Sequence, residues 1–138
     1  MKIGVLGAGQ LGRMLALSAY PLGHQMRFLA LSEEDPSSLL GKTFIHNNNP
    51  EIVSNFADSS DIVTYESENT DVTIVNEISK NTKVFPSDKS LYISQHRGRE
   101  KALLDALKIP CAPYQMVNSL DDLKSAINSS DIIFICVC

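Results

Sequence analysis

Two hydrophobic rhythms alternate along this chain. Short apolar runs bounded by turn residues occur at 2–6 (KIGVL), 25–31 (QMRFLAL), 43–45 (TFI), 61–65 (DIVTY) and 83–85 (KVF), and each predicts a strand. Between them the apolar spacing changes to threes and fours. Leu11, Met14, Leu15 and Ser18 fall at i, i+3, i+4 and i+7, predicting one apolar or small stripe along a helix that ends near Tyr20, before Pro21 and Gly23. Met14 and Met26 read as packing residues. Ile52, Val53 and Phe56 predict a helix that opens at Pro50, after the turn cluster Asn47-Asn48-Asn49, and closes at Asp58-Ser59-Ser60. Val72, Val75 and Ile78 mark the next.

Further on the pattern loosens. Residues 36–41 make at most a short helix. Ser87 to Leu107 reads as a long helical region broken near Gly98, with Leu103, Leu104 and Leu107 facing a core. An extended linker (109–113) precedes a short strand over Tyr114 to Val117, and Ser119 caps a last helix with Asp121 and Asp122 in its first turn. The tail is polar and then wholly apolar (DIIFICVC), a terminal strand that needs a sheet to pair with.

Strand and helix in alternation predict an α/β fold, a Rossmann-like doubly wound parallel sheet. Its first turn is Gly7-Ala8-Gly9-Gln10-Leu11-Gly12. Gly7 permits the tight turn, Gly9 lets another group approach the backbone, and Gly12 lets the helix pack close. The exposed N–H groups of the first helical turn then favour an anion. A dinucleotide-binding fold also needs an acidic residue at the end of the second strand, to hold a ribose. Here that strand ends in Ala30 and Leu31, and Glu33, Glu34 and Asp35 follow only in what reads as a turn. The missing acid argues against a nicotinamide cofactor. The fourth strand delivers Glu66, Ser67, Glu68 and Asn69 to its carboxyl end, where open parallel sheets bind their ligands. Tyr65 reads as a core or wall residue.

Composition narrows the partners. With 138 residues, 43% hydrophobic and 20% charged, the chain is long enough for a core and ordinary in balance. A net charge of −4 without a long basic run points away from nucleic acid. No export signal and no membrane span is read, so a cytoplasmic location is expected. Cys111, Cys136 and Cys138 form no CxxC pair and read as free thiols; His24, His46 and His96 are isolated turn or surface residues, so no metal cluster is expected. Arg97, Arg99 and Lys101 read as a solvated basic face.

Three segments, GAGQLGRMLALSAYPLG, TYESEN and SQHRGREKALLDALKIPCAP, closely resemble the 5-(carboxyamino)imidazole ribonucleotide synthase family of ATP-grasp ligases, from Met1 to about Ile127. The resemblance implies that residues 1–110 are the pre-ATP-grasp, substrate-binding domain and that 111–138 begin the ATP-grasp domain. It implies that the glycine loop walls a ribonucleotide site in which Gly9, Gln10 and Leu11 contact 5-aminoimidazole ribonucleotide. Glu66 would bind the substrate's polar groups, and Arg97, with Lys101, the ATP phosphates. The family carboxylates the exocyclic amine in purine (IMP) biosynthesis, using ATP, bicarbonate and Mg2+, by way of carboxyphosphate. After Ile127 the family continues with a lysine-bearing strand and a glycine-rich loop, which DIIFICVC does not match; the expectation is a truncated or frame-shifted chain that is inactive alone. Smaller departures are Ser67, Gly98 and Ala30.

The expected half-pocket therefore joins backbone amides of one turn to a carboxylate two strands across, presenting a sugar phosphate. A homodimer is compatible with it. Two other readings stay open: an NAD(P)-binding module resting on Gly7, Gly9 and Gly12, and a ligand-free interaction module that pairs through DIIFICVC.

Overall fold

The structure is a computed structural model that describes residues 1–47 and 49–129. The predicted terminal strand, with Cys136 and Cys138, and the middle asparagine of the 47–49 cluster lie outside the described residues. The chain divides into two compact units, one over Met1–Leu91 and one from Tyr92 onward.

In the first unit the parallel strands β1 (Lys2–Leu6), β2 (Gln25–Ala30), β3 (Lys42–Ile45) and β4 (Ile62–Tyr65) form one sheet in the order β3-β2-β1-β4. The chain runs outward from β1 to β3 and then crosses back to the other side of β1. The crossover makes the β1/β4 boundary the topological switch point, where open α/β sheets take their ligands. Its register pairs Leu6 with Tyr65, so the next residues along the two strands, Gly7 and Glu66, emerge side by side. β4 is thus the direct neighbour of β1, not a strand further away as the sequence reading had it.

Side chains alternate across the sheet and feed two cores. On one face Val5, Phe28 and Ala30 pack with Ala16 and Ala19 of helix α1 (Gln10–Ala19). On the other, Leu6, Leu29 and Val63 pack with Val53, Phe56 and Ala57 of α2 (Pro50–Asp58) and Val75 and Ile78 of α3 (Val72–Ser79). Phe56 is fully buried and meets Phe44 edge to face, centroids 5.7 Å apart; a buried phenyl of this kind contributes about 1.5–3 kcal/mol. The caps are local. Asn49 accepts from Glu51 N with Pro50 in the first turn of α2, and Asp71 accepts from Thr73 N at 2.8 Å to start α3. α1 gives way to a 3-10 turn over Tyr20–Leu22 that ends at Gly23, φ 71°.

Four expectations need correction. The predicted strand at 83–85 is a single bridge, Val63 to Val84, flanked by the bonds Val63 N to Lys83 O and Phe85 N to Val63 O. Pro86 follows with no N–H to extend the ladder. The break in the long helical region falls at Gln95–His96, between α4 (Asp88–Ser94), which crosses the division between the units, and α5 (Arg97–Ala106). His96 makes it, its extended backbone and its Nδ1, which accepts from Gly98 N at 3.1 Å, starting α5 two residues before the glycine. Leu103 and Leu107 do not face a core: they are exposed, and α5 buries no residue, because its charges ring the helix and leave no continuous apolar face. Residues 114–117 form no strand, having no strand beside them among the described residues; Tyr114 is held by its side chain, its hydroxyl donating to Asp105 at 2.6 Å. The last helix, α6 (Leu120–Ser129), starts as expected, with Asp122 N donating to Ser119 Oγ at 3.1 Å.

Candidate functional site: the glycine loop and Glu66

Gly7 sits at φ +105°, a backbone that side-chain-bearing residues rarely adopt, and its N–H donates to Leu29 O at 3.0 Å. The chain leaves β1 there and enters α1 with Gly9 as its N-cap, a residue with no side chain to satisfy the helix's first N–H groups. Glu66 supplies what Gly9 lacks. One carboxylate oxygen accepts from Gly9 N at 3.1 Å and the other from Gly12 N at 2.5 Å. The carboxylate lies at the positive end of the helix, where a negative charge is favoured. Its own backbone N–H donates to Leu6 O at 3.3 Å, carrying the ladder one residue past β4.

The group that Gly9 and Gly12 admit is a side chain of the protein itself, and both amides have an internal acceptor. Among the described residues, the N–H groups of Gln10 and Leu11, in the same helical turn, have no internal acceptor. A second buttress was not legible in the sequence. Ser37 is fully buried; its hydroxyl donates to Gly9 O at 2.9 Å and its N–H to Ala8 O at 2.9 Å. It lies in a short polar stretch without periodicity, and no pattern singles it out.

Beside the loop opens a cleft of about 460 Å³, lined by Leu11, Met14, Leu15 and Ser18 of α1 and by Thr64, Tyr65 and Glu66 at the end of β4. The predicted apolar stripe of α1 is therefore real, but it walls this cleft rather than the core. Leu11, Met14 and Leu15 are 54%, 64% and 42% exposed, while Gly12, Ala16 and Ala19 make the buried face. Met14 is not a core packing residue; Met26 is, being buried on β2. Tyr65 is a wall residue as expected, and burial pushes its hydroxyl above the ordinary tyrosine range.

The acidic cluster after β2 lies in a turn. Asp35 turns back to accept from Leu31 N and Ser32 N at 3.1 and 3.2 Å, closing the turn. Of the predicted site residues, Gly9, Gln10, Leu11 and Glu66 meet at the loop. Arg97 and Lys101 lie on α5 in the second unit, where Arg97 pairs with Glu100 at 2.6 Å and the Lys101 ammonium stands 5.4 Å from the Tyr114 ring. Arg99 stacks on Tyr92 at 3.8 Å. Among the described residues no three His, Cys, Asp or Glu side chains are grouped to hold a metal ion, and no helix is long and apolar enough to cross a membrane.

Residues 1–95 match the ribonucleotide synthetase pre-ATP-grasp domain family. The chain belongs to that family. Within the pre-ATP-grasp family it is similar to the bifunctional purine synthesis protein purC/E of Dictyostelium discoideum, 42% identical over 91% of this chain and 13% of that protein. N5-carboxyaminoimidazole ribonucleotide synthetase from Thermus thermophilus superposes with a TM-score of 0.82 at 36% identity, over 91% of this chain and 35% of that one. The Aspergillus clavatus N5-carboxyaminoimidazole synthase, solved with ADP and 5-aminoimidazole ribonucleotide, superposes at 0.76 with 31% identity, over 90% of this chain and 34% of that one. The pre-ATP-grasp chain thus spans about a third of the length of the synthases it matches. The α/β fold and the family resemblance read from the sequence are both borne out.

Proposed function

We propose that this chain supplies the ribonucleotide-binding part of an N5-carboxyaminoimidazole ribonucleotide synthase, and that its ligand is 5-aminoimidazole ribonucleotide. The observation that carries the reading is the convergence, at the sheet's switch point, of Glu66, two open helix-terminal amides and an apolar cleft. A carboxylate oxygen has two lone pairs, and each Glu66 oxygen gives one to a loop amide. The remaining acceptor capacity suits an exocyclic amine or a ribose hydroxyl. The N–H groups of Gln10 and Leu11 suit hydroxyl oxygens, and the apolar wall of α1 suits the flat face of a five-membered ring.

In this reading residues 1–110 are the substrate domain and 111–138 the opening of the ATP-grasp domain. ATP, bicarbonate and Mg2+ serve the reaction of the whole synthase. Arg97, with Lys101, is assigned to the ATP phosphates, as suits guanidinium and ammonium groups. The chain by itself turns over no ATP; its location is cytoplasmic, and a homodimer is compatible with the reading. Calorimetry on the folded 138-residue chain tests the reading. Weak, saturable heat with 5-aminoimidazole ribonucleotide, without ATP hydrolysis, is expected. Absence of heat on folded protein contradicts it.

A further inference from the structure

We propose that Glu66 is a resident anion of the glycine loop, occupying the place that a ligand phosphate takes in a dinucleotide-binding fold and so determining which end of a ligand the loop can meet. The loop has the spacing, the strand before it and the helix after it that elsewhere cradle a pyrophosphate. Here the cradle is already full. A Cβ added at Gly7, Gly9 or Gly12 would come within 2.6, 2.9 and 2.9 Å of the Glu66 side chain, so all three glycines of the motif make room for the same carboxylate. Its two oxygens take the Gly9 and Gly12 amides.

Charge completes the exclusion. Among the described residues no Lys or Arg pairs with Glu66, so helix N–H groups and the helix dipole are what compensate it. A phosphate brought to the same turn would add a second anion at a helix end already answered by the first. The loop therefore selects the donor-bearing, uncharged end of a ligand and turns a phosphate outward. The inference stands on the loop's own geometry and does not depend on which ribonucleotide binds.

The probe is inorganic pyrophosphate, titrated into the full 138-residue chain while the Gly9 and Gly12 amides are followed by NMR. In the native chain neither amide moves saturably. In Glu66→Ala both do, because the cradle is emptied and its amides are released. Saturable shifts of these amides in the native chain overturn the proposal, and so does their absence in a folded alanine variant. Should the alanine variant not fold, Glu66→Gln keeps the side-chain volume and removes the charge. The Gly12 amide proton then moves upfield and loses protection from exchange; an unchanged Gly12 amide overturns the proposal.

Discussion

Glu66 does from 54 residues away what a capping side chain ordinarily does from next door. Because it holds the loop as well as facing the cleft, changes at the loop act on stability and on binding together. Gly12→Ala places a methyl 2.9 Å from one Glu66 oxygen and 3.0 Å from Ser37 Oγ, both of which hold the loop. Crowding of this kind costs about 1–3 kcal/mol, read by denaturant unfolding, with an accompanying loss of ribonucleotide binding. A change under about 0.5 kcal/mol, typical of an unconstrained surface site, would show that the contact yields freely. The sequence announced Gly7, Gly9, Gly12 and Glu66 individually. It did not announce that they touch, because that depends on the Leu6–Tyr65 register. Nor did it announce Ser37, whose importance lies wholly in where the chain folds back.

The helices show where periodicity informs and where it misleads. In α2 and α3 the apolar residues at helical spacing face the core, as Val53, Phe56, Val75 and Ile78 do. In α1 the same spacing marks the open face, because the small residues Gly12, Ala16 and Ala19 let the helix lie close on the sheet and push its larger side chains outward. Periodicity finds a stripe but not what the stripe faces. Met14→Gln, at a 64% exposed position, should change stability by less than about 0.5 kcal/mol. Ile78→Ala, at 2% exposure, should cost about 2–5 kcal/mol in the same unfolding measurement.

The cap of α3 adds a pH dependence. Hydrogen bonds first from Thr73 N and then from the Thr73 hydroxyl hold the Asp71 carboxyl below its ordinary 3.8. A depressed folded value means that the cap's contribution is complete above 3.8 and is lost as pH falls through the lower folded value. Asp71→Ala should therefore cost about 0.5–1 kcal/mol at neutral pH, the low end for a cap at this solvent-screened position. The gap between variant and native should narrow in acid, as a pH series of unfolding curves would show.

The whole first unit was legible as a class because a parallel sheet, buried on both faces, leaves compact apolar runs between helical stretches. The elements missed were those that depend on neighbours rather than on their own residues: the bridge at Val84, the segment at 114–117 with no strand beside it among the described residues, and the exposed leucines of α5. Two observations weigh against the NAD(P)-binding reading, the Glu66 carboxylate on the loop amides and the use of Asp35 within its own turn. NADH fluorescence should accordingly stay unenhanced on addition of the chain, and saturable enhancement would restore that reading.

The most direct measurement is an NMR titration of the chain with 5-aminoimidazole ribonucleotide, followed at every amide. The amides of Gln10, Leu11 and Glu66 should shift together along one saturation curve, and Glu66→Ala should alter that curve. Shifts confined to other parts of the chain, or a curve that Glu66→Ala leaves unaltered, would contradict the assignment of the loop and its carboxylate as the ribonucleotide site.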